Sequence, residues 1–199
     1  MSDSLITQKA IAESIKALMK KKSLEKITVS DIVRNCGLNR QTFYYHFKDK
    51  YDLVSWIYRN EIVATMSSIT DGTDWDIAMT KVLNIMKQEQ AFYAGSLSMD
   101  QRNIFFRFLF DAVRDMLLKI INQQLQGGTA MGTEDRTFIA EFYAYGLVGI
   151  VSQWVKKGMR QPPEEIVHRL ARLIDSSKRT PHAKPLNEIK GDGDTHTST

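Results

Sequence analysis

The residues with the clearest chemistry lie between positions 39 and 50, where hydrogen-bonding, aromatic and basic side chains are concentrated. Arginine can bond guanine through two parallel hydrogen bonds, glutamine can do the same with adenine, and threonine offers a hydroxyl and a methyl group. Arg40, Gln41 and Thr42 supply these groups in consecutive positions. Tyr44 and the residues after it add side chains that can bind phosphates. The expected chemistry is therefore recognition of duplex DNA.

Two short helices joined by a glycine turn are predicted to position these side chains. Thr28, with Asp31 three residues later, is close to a capping box and predicts a helix over Val29–Asn35. Gly37 suits the left-handed conformation that ends a helix, and Asn39 can cap the next helix. Two short helices joined by a four-residue turn that contains glycine are typical of a helix-turn-helix.

Two phenylalanines are predicted to orient the third helix. Phe43 and Phe47 are four residues apart, so they share one face and are expected in the core. The side chains left to point outward are those of Arg40, Gln41, Thr42, Tyr44 and His46. His46 has a second interpretation as a packed, hydrogen-bonded structural residue. Tyr45 is predicted to pack in the core or between domains rather than to contact DNA.

Three other features of the first fifty residues have simpler interpretations. The backbone N–H of Thr28, at a helix N-terminus, can bind a phosphate. The Lys20–Lys22 run is predicted to be a solvated helix end, with phosphate attraction as the alternative. Cys36 is predicted to be a small buried residue. As the single cysteine, it excludes an intramolecular disulfide.

The positive charge is concentrated at one end of the chain. Residues 1–60 hold 11 Lys/Arg against 6 Asp/Glu, and residues 61–199 hold 16 against 17. A basic segment on a near-neutral remainder favours a polyanion-binding unit joined to a separate body. No nucleophile–base pair, metal constellation or phosphate-binding glycine loop is recognisable, so neither an enzyme nor a cofactor is expected. An apolar leader is also missing, which predicts a cytoplasmic protein that does not enter a membrane.

The apolar periodicity is helical almost throughout and predicts an all-α protein. We divide it into a head (residues 1–50) that carries the helix-turn-helix, a helical body (51–178) for ligand binding and dimerisation, and a polar disordered tail (179–199). A long fourth helix is expected to link head and body. Gly95 and its small polar neighbours are predicted to break the chain between later helices.

The body is rich in aromatic residues, which can be interpreted in two ways. An apolar effector cavity with a few polar groups would involve Trp75, Tyr93, Phe106, Arg107 and Phe142. Alternatively, the aromatic stripes are ordinary core, and Arg107 forms a surface pair with Asp111 one helical turn later.

The last two helices, over about residues 134–178, are predicted to form a homodimer. Small residues at four-residue steps permit close helix approach, namely Ala140, Ala144 and Val148, with Gly146 and Gly149 nearby. The final helix carries an apolar stripe of Ile166, Leu170, Leu173 and Ile174. Two copies would make a four-helix interface across a two-fold axis, although packing within one chain also explains the stripes.

Residues 8–60 resemble the tetracycline-repressor (TetR) family of bacterial regulators. The resemblance rests on three segments, Ile27–Val33, Cys36–Asn39 and Thr42–Lys50, in which caps, glycine and aromatic-basic residues agree in phase. The continuation Tyr51–Tyr58 is similar to the subgroup of dihydroxyacetone-kinase regulators. The resemblance implies base or backbone contacts with DNA at Arg40, Gln41, Thr42, Tyr44, His46 and Lys50, and we assign the last three to phosphates. Thr28 and Asn39, at the starts of the second and third helices, complete the expected DNA-binding set.

The resemblance implies that the protein is a dimeric regulator that binds a palindromic operator. Control would come from a small-molecule effector or a protein co-regulator acting on the body. Repression is the commoner outcome in the family. The alternative is a helix-turn-helix protein that works as an activator or adaptor through a partner such as a dihydroxyacetone-kinase-like subunit.

Overall fold

The computed structural model describes residues 3–67, 75–97, 104–124 and 131–179, which form helices and turns without a strand. The all-α prediction is confirmed. The helices are α1 (Asp3–Met19), α2 (Val29–Asn35), α3 (Arg40–His46), α4 (Lys50–Tyr58), α5 (Ala64–Ser67), α6 (Trp75–Gln88), α7 (Gln90–Leu97), α8 (Ile104–Gln124), α9 (Thr133–Lys156) and α10 (Pro163–Arg179). A 3-10 turn (Leu24–Lys26) precedes α2, and a π-helical turn (Arg59–Val63) joins α4 to α5.

Local caps fix the ends of the short head helices. Thr28 and Asp31 form a full capping box, in which each side chain accepts from the other residue's backbone N–H at 3.1 and 2.9 Å. Gly37 has φ +71°, the left-handed conformation that a helix end requires. Asn39 Oδ1 then accepts from the backbone N–H of Thr42 at 2.7 Å and starts α3.

One continuous apolar core joins the head to the body. Ile11 and Ile15 of α1, together with Phe43 of α3, belong to the same buried cluster as Val113 of α8 and Val151 of α9. The helix from Lys50 to Ser67 contributes buried side chains on both sides of its π-helical turn. Head and body therefore share a core.

The body is built around α8 and α9, which pack along each other, while α6 packs against α10. Ala140, Ala144 and Val148 are fully buried within the single chain. Of the two interpretations of this stripe, their burial supports packing within one chain, because these side chains of α9 face neighbouring helices of the same chain. Gly146 and Gly149 are exposed, and a Cβ at either would meet nothing within 4 Å.

Gly95 does not break the chain. It lies inside α7, where an added Cβ would come within 2.9 Å of Met19 Cε on α1. The glycine allows α7 of the body to approach α1 of the head. The helix that contains Gly95 ends two residues later, at Leu97, and another boundary lies earlier, between Gln88 and Gln90. Of the predicted tail, residues 180–199 lie outside the described residues.

The helix α9 is long and apolar enough to cross a membrane by length and composition, although only 39% of its most apolar window is buried. A core helix of a soluble protein meets the same test, and α9 packs on α8 along its length.

Candidate DNA-binding surface

The third helix has one buried and one exposed face, as predicted. Phe43 and Phe47 lie in the core, with ring centroids 5.7 Å apart, and Phe47 meets the Trp56 ring of α4 edge-on. Arg40 and Gln41 in the first turn are exposed. The two phenylalanines thus hold the helix so that its N-terminal end faces outward, the end that enters the major groove in helix-turn-helix proteins.

The exposed basic and aromatic groups of α3 contact each other. The Arg40 guanidinium lies 5.9 Å from the centroid of the Tyr44 ring, a cation–π distance. The Tyr44 ring, which is 51% exposed, packs edge-on against Phe43 of the core. This contact restricts Arg40 before any ligand is bound. A side chain that is already ordered loses less conformational entropy when it binds a base.

Thr42 and Asn39 are engaged with each other. Besides accepting from the Thr42 backbone, Asn39 Oδ1 accepts from the Thr42 hydroxyl at 3.0 Å. The hydroxyl proton of Thr42 therefore serves the helix cap. What Thr42 can offer to a base is its methyl group or the remaining acceptor capacity of its oxygen.

Tyr45 corrects the sequence interpretation. It is 82% exposed, and its ring meets the half-buried His46 edge-on at 4.9 Å between centroids. The position of Tyr45 in the sequence already indicates its exposure. Two helical positions span about 200°, so a residue between Phe43 and Phe47 points away from both. Tyr45 joins Tyr44 and His46 on the outward side of α3.

Thr28 is occupied by its own capping box. Its backbone N–H donates to Asp31 Oδ2, as does its hydroxyl at 2.8 Å. The predicted phosphate contact through that N–H would have to displace the carboxylate. Lys22 also donates to Asp31 Oδ2 at 2.9 Å, so this lysine is part of the head rather than a merely solvated helix end. The Lys22 bond, followed by those from Thr28, lowers the pKa of Asp31 well below its usual value.

Lys50 is a structural clamp. Its ammonium group donates to the backbone carbonyls of Leu24, Glu25 and Ile27 at 2.8, 3.0 and 2.9 Å. Because an ammonium has three donors, these bonds leave none directed at a phosphate. Burial lowers the pKa of Lys50, against the opposing charges of Glu25 and Asp49. The phosphate role predicted for Lys50 is thus not supported by its contacts, whereas the neighbouring Lys48 is exposed.

The predicted effector residues do not form one cavity. Tyr93 is fully buried, and its hydroxyl donates to Glu61 Oε2 at 2.7 Å. Arg107 and Phe142 are exposed, while Trp75 and Phe106 are half-buried. Phe106 stacks on Phe110, and both rings lie near Tyr145. The core interpretation therefore fits Tyr93 and Phe106, but Asp111 pairs at 3.2 Å with Arg114 rather than with Arg107.

A cleft of about 770 Å³ lies elsewhere in the body, at the C-terminal end of α9. Its walls include Gln90, Trp154, Lys156, Lys157 and Arg160. None of the predicted effector residues contributes to it.

Cys36 is half-buried in the head, where its thiol donates to the Ile32 carbonyl at 3.3 Å.

A helix-turn-helix with an exposed aromatic and basic recognition helix, carried on a helical body, defines a DNA-binding transcriptional regulator. Two family models agree with this class. The model of bacterial regulatory proteins of the tetR family matches residues 11–56, and the model of a transcriptional regulator C-terminal region matches residues 73–176. The chain belongs to the TetR family. Regulators of this family bind DNA and usually function as dimers, and they are soluble proteins.

Within the family the chain is similar to DhaS. The HTH-type dhaKLM operon transcriptional activator DhaS of Lactococcus lactis subsp. lactis (strain IL1403) is 28% identical over 159 residues, which cover 79% of this chain and 84% of the relative. A solved structure of the dihydroxyacetone kinase operon activator DhaS superposes with a TM-score of 0.72 at 26% identity, covering 87% of this chain and 96% of that chain. A transcriptional regulator from Aquifex aeolicus VF5 shares the fold, with a TM-score of 0.60 at 22% identity and coverage of 84% and 99%. These relatives are regulators, and a DNA-binding regulator is favoured over the adaptor alternative.

Proposed function

We propose that this regulator binds a palindromic operator as a homodimer, with α3 of each head in the major groove of one half-site. The observation that carries the proposal is the exposed N-terminal face of α3, held by two buried phenylalanines. Arg40 and Gln41 are its base-reading side chains, because both are exposed in the first turn and both can make bidentate contacts with bases. Asn39 and Thr42 fix the helix start from which they project.

The phosphate contacts are assigned to the aromatic and basic side chains around that reading edge. Tyr44, Tyr45 and His46 can donate hydrogen bonds to phosphate oxygens from the outward side of α3. Lys48 replaces Lys50 in this assignment, since Lys48 is exposed and the ammonium of Lys50 is occupied by backbone carbonyls. Thr28 is exposed as the N-cap of α2, and its capping box with Asp31 orients that helix.

The homodimer is proposed to form through the exposed face of α9. We call this the α9 face; it comprises Phe138, Phe142, Tyr145, Gly146, Gly149 and Ile150, all of them exposed. The spacing i, i+4, i+7, i+11 places most of them on one side of the helix. Leu173 is an exposed apolar side chain on α10, the other helix of the expected dimer segment. A large exposed apolar patch marks an interaction site, and the two open glycines permit close helix approach.

The body is proposed to control DNA binding in the cytoplasm through the continuous helical segment from Lys50 to Ser67. This segment begins beside the recognition helix and ends within the body core. The L. lactis relative is an operon transcriptional activator, so the proposed target is an operon promoter. Transcription from that promoter should be measured with and without the protein, because either repression or activation is compatible with the proposal.

Selection of bound fragments from a random DNA pool tests this function. The expected result is an enriched palindrome whose half-sites lie about one DNA turn apart. Arg40→Ala should weaken operator binding by roughly 1–3 kcal/mol and relax the preference at one base pair in each half-site. Arg107→Ala removes an exposed arginine from the body and should leave binding unchanged. Failure to enrich any sequence would refute the proposal.

A further inference from the structure

The head contains a buried lysine that the DNA-binding surface does not use. Lys16 of α1 is 4% exposed. A buried ammonium is costly unless a carboxylate pairs with it. Its Nζ is hydrogen-bonded to Glu61 Oε1 and lies 3.5 Å from Glu13 Oε1. The Glu13 side chain is largely exposed, so the main partner of Lys16 is Glu61, which follows it by 45 positions.

Glu61 uses its second oxygen on the body. Tyr93, which is fully buried on α7, donates its hydroxyl hydrogen to Glu61 Oε2 at 2.7 Å. One carboxylate thus binds a head helix through Oε1 and a body helix through Oε2. Burial, followed by the charge and hydrogen bond of Glu61, raises the pKa of Tyr93, so its hydroxyl stays protonated and donates. We call Lys16, Glu61 and Tyr93 the junction relay.

The backbone around Glu61 is as unusual as its contacts. Glu61 is the central residue of the π-helical turn Arg59–Val63, between α4 and α5. A π-helical turn accommodates about one more residue than an α-helical turn, so it rotates all later side chains by about 100° relative to an uninterrupted α-helix. Such turns are rare and are concentrated at functional sites. Here the turn carries the residue that joins head to body.

Other contacts bring the same helices together without involving the Glu61 carboxylate. The Tyr58 hydroxyl of α4 is hydrogen-bonded to Ser96 Oγ of α7, and both side chains are buried. Gly95 of α7 lies against Met19 of α1. The junction therefore has a general packing component, against which a specific effect of the relay can be compared.

We propose that Lys16, Glu61 and Tyr93 are positioning residues for operator binding, because the relay sets the orientation of each head relative to its body. This inference rests on the proposed dimer, in which the body is shared and head orientation determines the separation of the two α3 helices. Those helices must match half-sites about 34–36 Å apart. A tilt at the junction moves α3 relative to the half-site, so the preferred operator spacing reports on the relay.

The test measures the affinity of full-length protein for a series of duplexes in which the half-site spacing changes by one base pair at a time. Wild-type protein should show one sharp optimum. Tyr93→Phe removes only the relay hydroxyl and should shift the optimum or reduce the discrimination between neighbouring spacings by roughly 3- to 30-fold. Affinity for a single half-site should not change, because the recognition helix itself is intact.

A second variant guards against simple misfolding. Lys16→Met combined with Glu61→Leu and Tyr93→Phe replaces the ion pair and the hydroxyl that donates to it by apolar side chains of similar size, an exchange that often preserves stability. It should change the spacing profile in the same way as Tyr93→Phe. The matched control is Tyr58→Phe, which removes a buried tyrosine hydrogen bond between α4 and α7 but leaves the Glu61 carboxylate untouched.

Each outcome decides between the possibilities. Altered profiles in both relay variants, with a wild-type profile for Tyr58→Phe, support the relay. A sharp wild-type optimum that both relay variants retain overturns the relay while leaving the proposed function intact. Equal broadening in all three variants also overturns it, because the junction then acts only through general packing. A wild-type protein without any spacing preference refutes the proposed dimer and the relay with it.

Discussion

Individual side chains in the head divide into those available to DNA and those committed to the fold. Lys48 and Lys50 illustrate the division, since both are basic and lie two positions apart at the end of the recognition segment. Lys48 is exposed, whereas Lys50 binds the carbonyls of Leu24, Glu25 and Ile27 and so ties α4 to the turn before α2. Residue type alone therefore does not identify a phosphate contact.

Replacement of these two lysines should separate stability from DNA affinity. Lys50→Ala leaves partly buried carbonyls without their donor, so the free energy of unfolding should fall by about 1–3 kcal/mol in urea titrations. The salt dependence of DNA binding should stay the same. Lys48→Ala should leave stability within about 0.5 kcal/mol and flatten the salt slope by about one unit. If Lys50→Ala instead flattened the salt slope while leaving stability unchanged, Lys50 would be a phosphate contact after all.

Asp31 predicts how the head responds to acid. Lys22 and Thr28 lower its pKa in the folded state. The ionised carboxylate therefore stabilises the folded protein at pH values above the unfolded-state pKa of 3.8. This contribution is lost as the pH falls through the native pKa. Asp31→Asn should therefore lower stability at neutral pH, and its difference from wild type should shrink as the pH drops below 3.8. A difference that stays constant across that range would contradict a role for the charge.

At the scale of single elements, α9 shows that one helix can carry two apolar faces with different partners. Its alanines and Val148 pack inside the chain, while the α9 face is exposed. Periodicity revealed the apolar content of the helix, but the stripe expected at the dimer interface is the one that the chain buries itself. The exposed stripe begins with Phe138 and is bulkier.

The α9 face gives a direct test of oligomeric state. Phe142, which is 66% exposed, lies near the middle of the face, so Phe142→Glu should place two buried charges across the two-fold axis and yield monomers in sedimentation velocity. Ile6→Glu, at a 54% exposed position of α1, is the matched control and should stay dimeric. Monomeric wild-type protein, or a Phe142→Glu dimer of unchanged affinity, would show that this face is not the interface.

At the scale of the whole molecule, the shared core makes head and body one mechanical unit. Met19 and Gly95 bring α1 and α7 together, and the junction relay joins the same helices through a partly buried ion pair. A head attached by a loose linker would have none of these contacts. Motion of the head should therefore involve rearrangement of packed side chains rather than free rotation.

Unfolding should reflect this continuity. We expect a single cooperative transition in which probes of the head and of the body change together, because the buried cluster spans both. Fluorescence of Trp56, beside Phe47 of the head core, and of Trp154, in the body, can be compared in single-tryptophan variants. Separate midpoints for the two tryptophans would show that head and body are thermodynamically independent.

The helix-turn-helix of the head, with its caps and its turn, could be predicted from the amino-acid sequence. The capping box of Thr28 and Asp31, the turn at Gly37, the cap at Asn39 and the burial of Phe43 and Phe47 all agree with the structure. These features depend on residues three or four positions apart, within one helical turn. Local geometry is therefore sufficient to fix them, whatever the rest of the chain does.

The partners of charged and small residues depended on contacts between distant segments. Lys50 binds carbonyls 23 to 26 positions away, and Lys16 binds Glu61 45 positions away. Gly95 lies inside α7 at the point where Met19 of α1 packs against that helix. An ammonium group pairs with whichever oxygen the packing of helices brings within reach, and the periodicity of one helix carries no information about that choice. The same is true of α9, whose neighbours determine which of its apolar faces remains exposed.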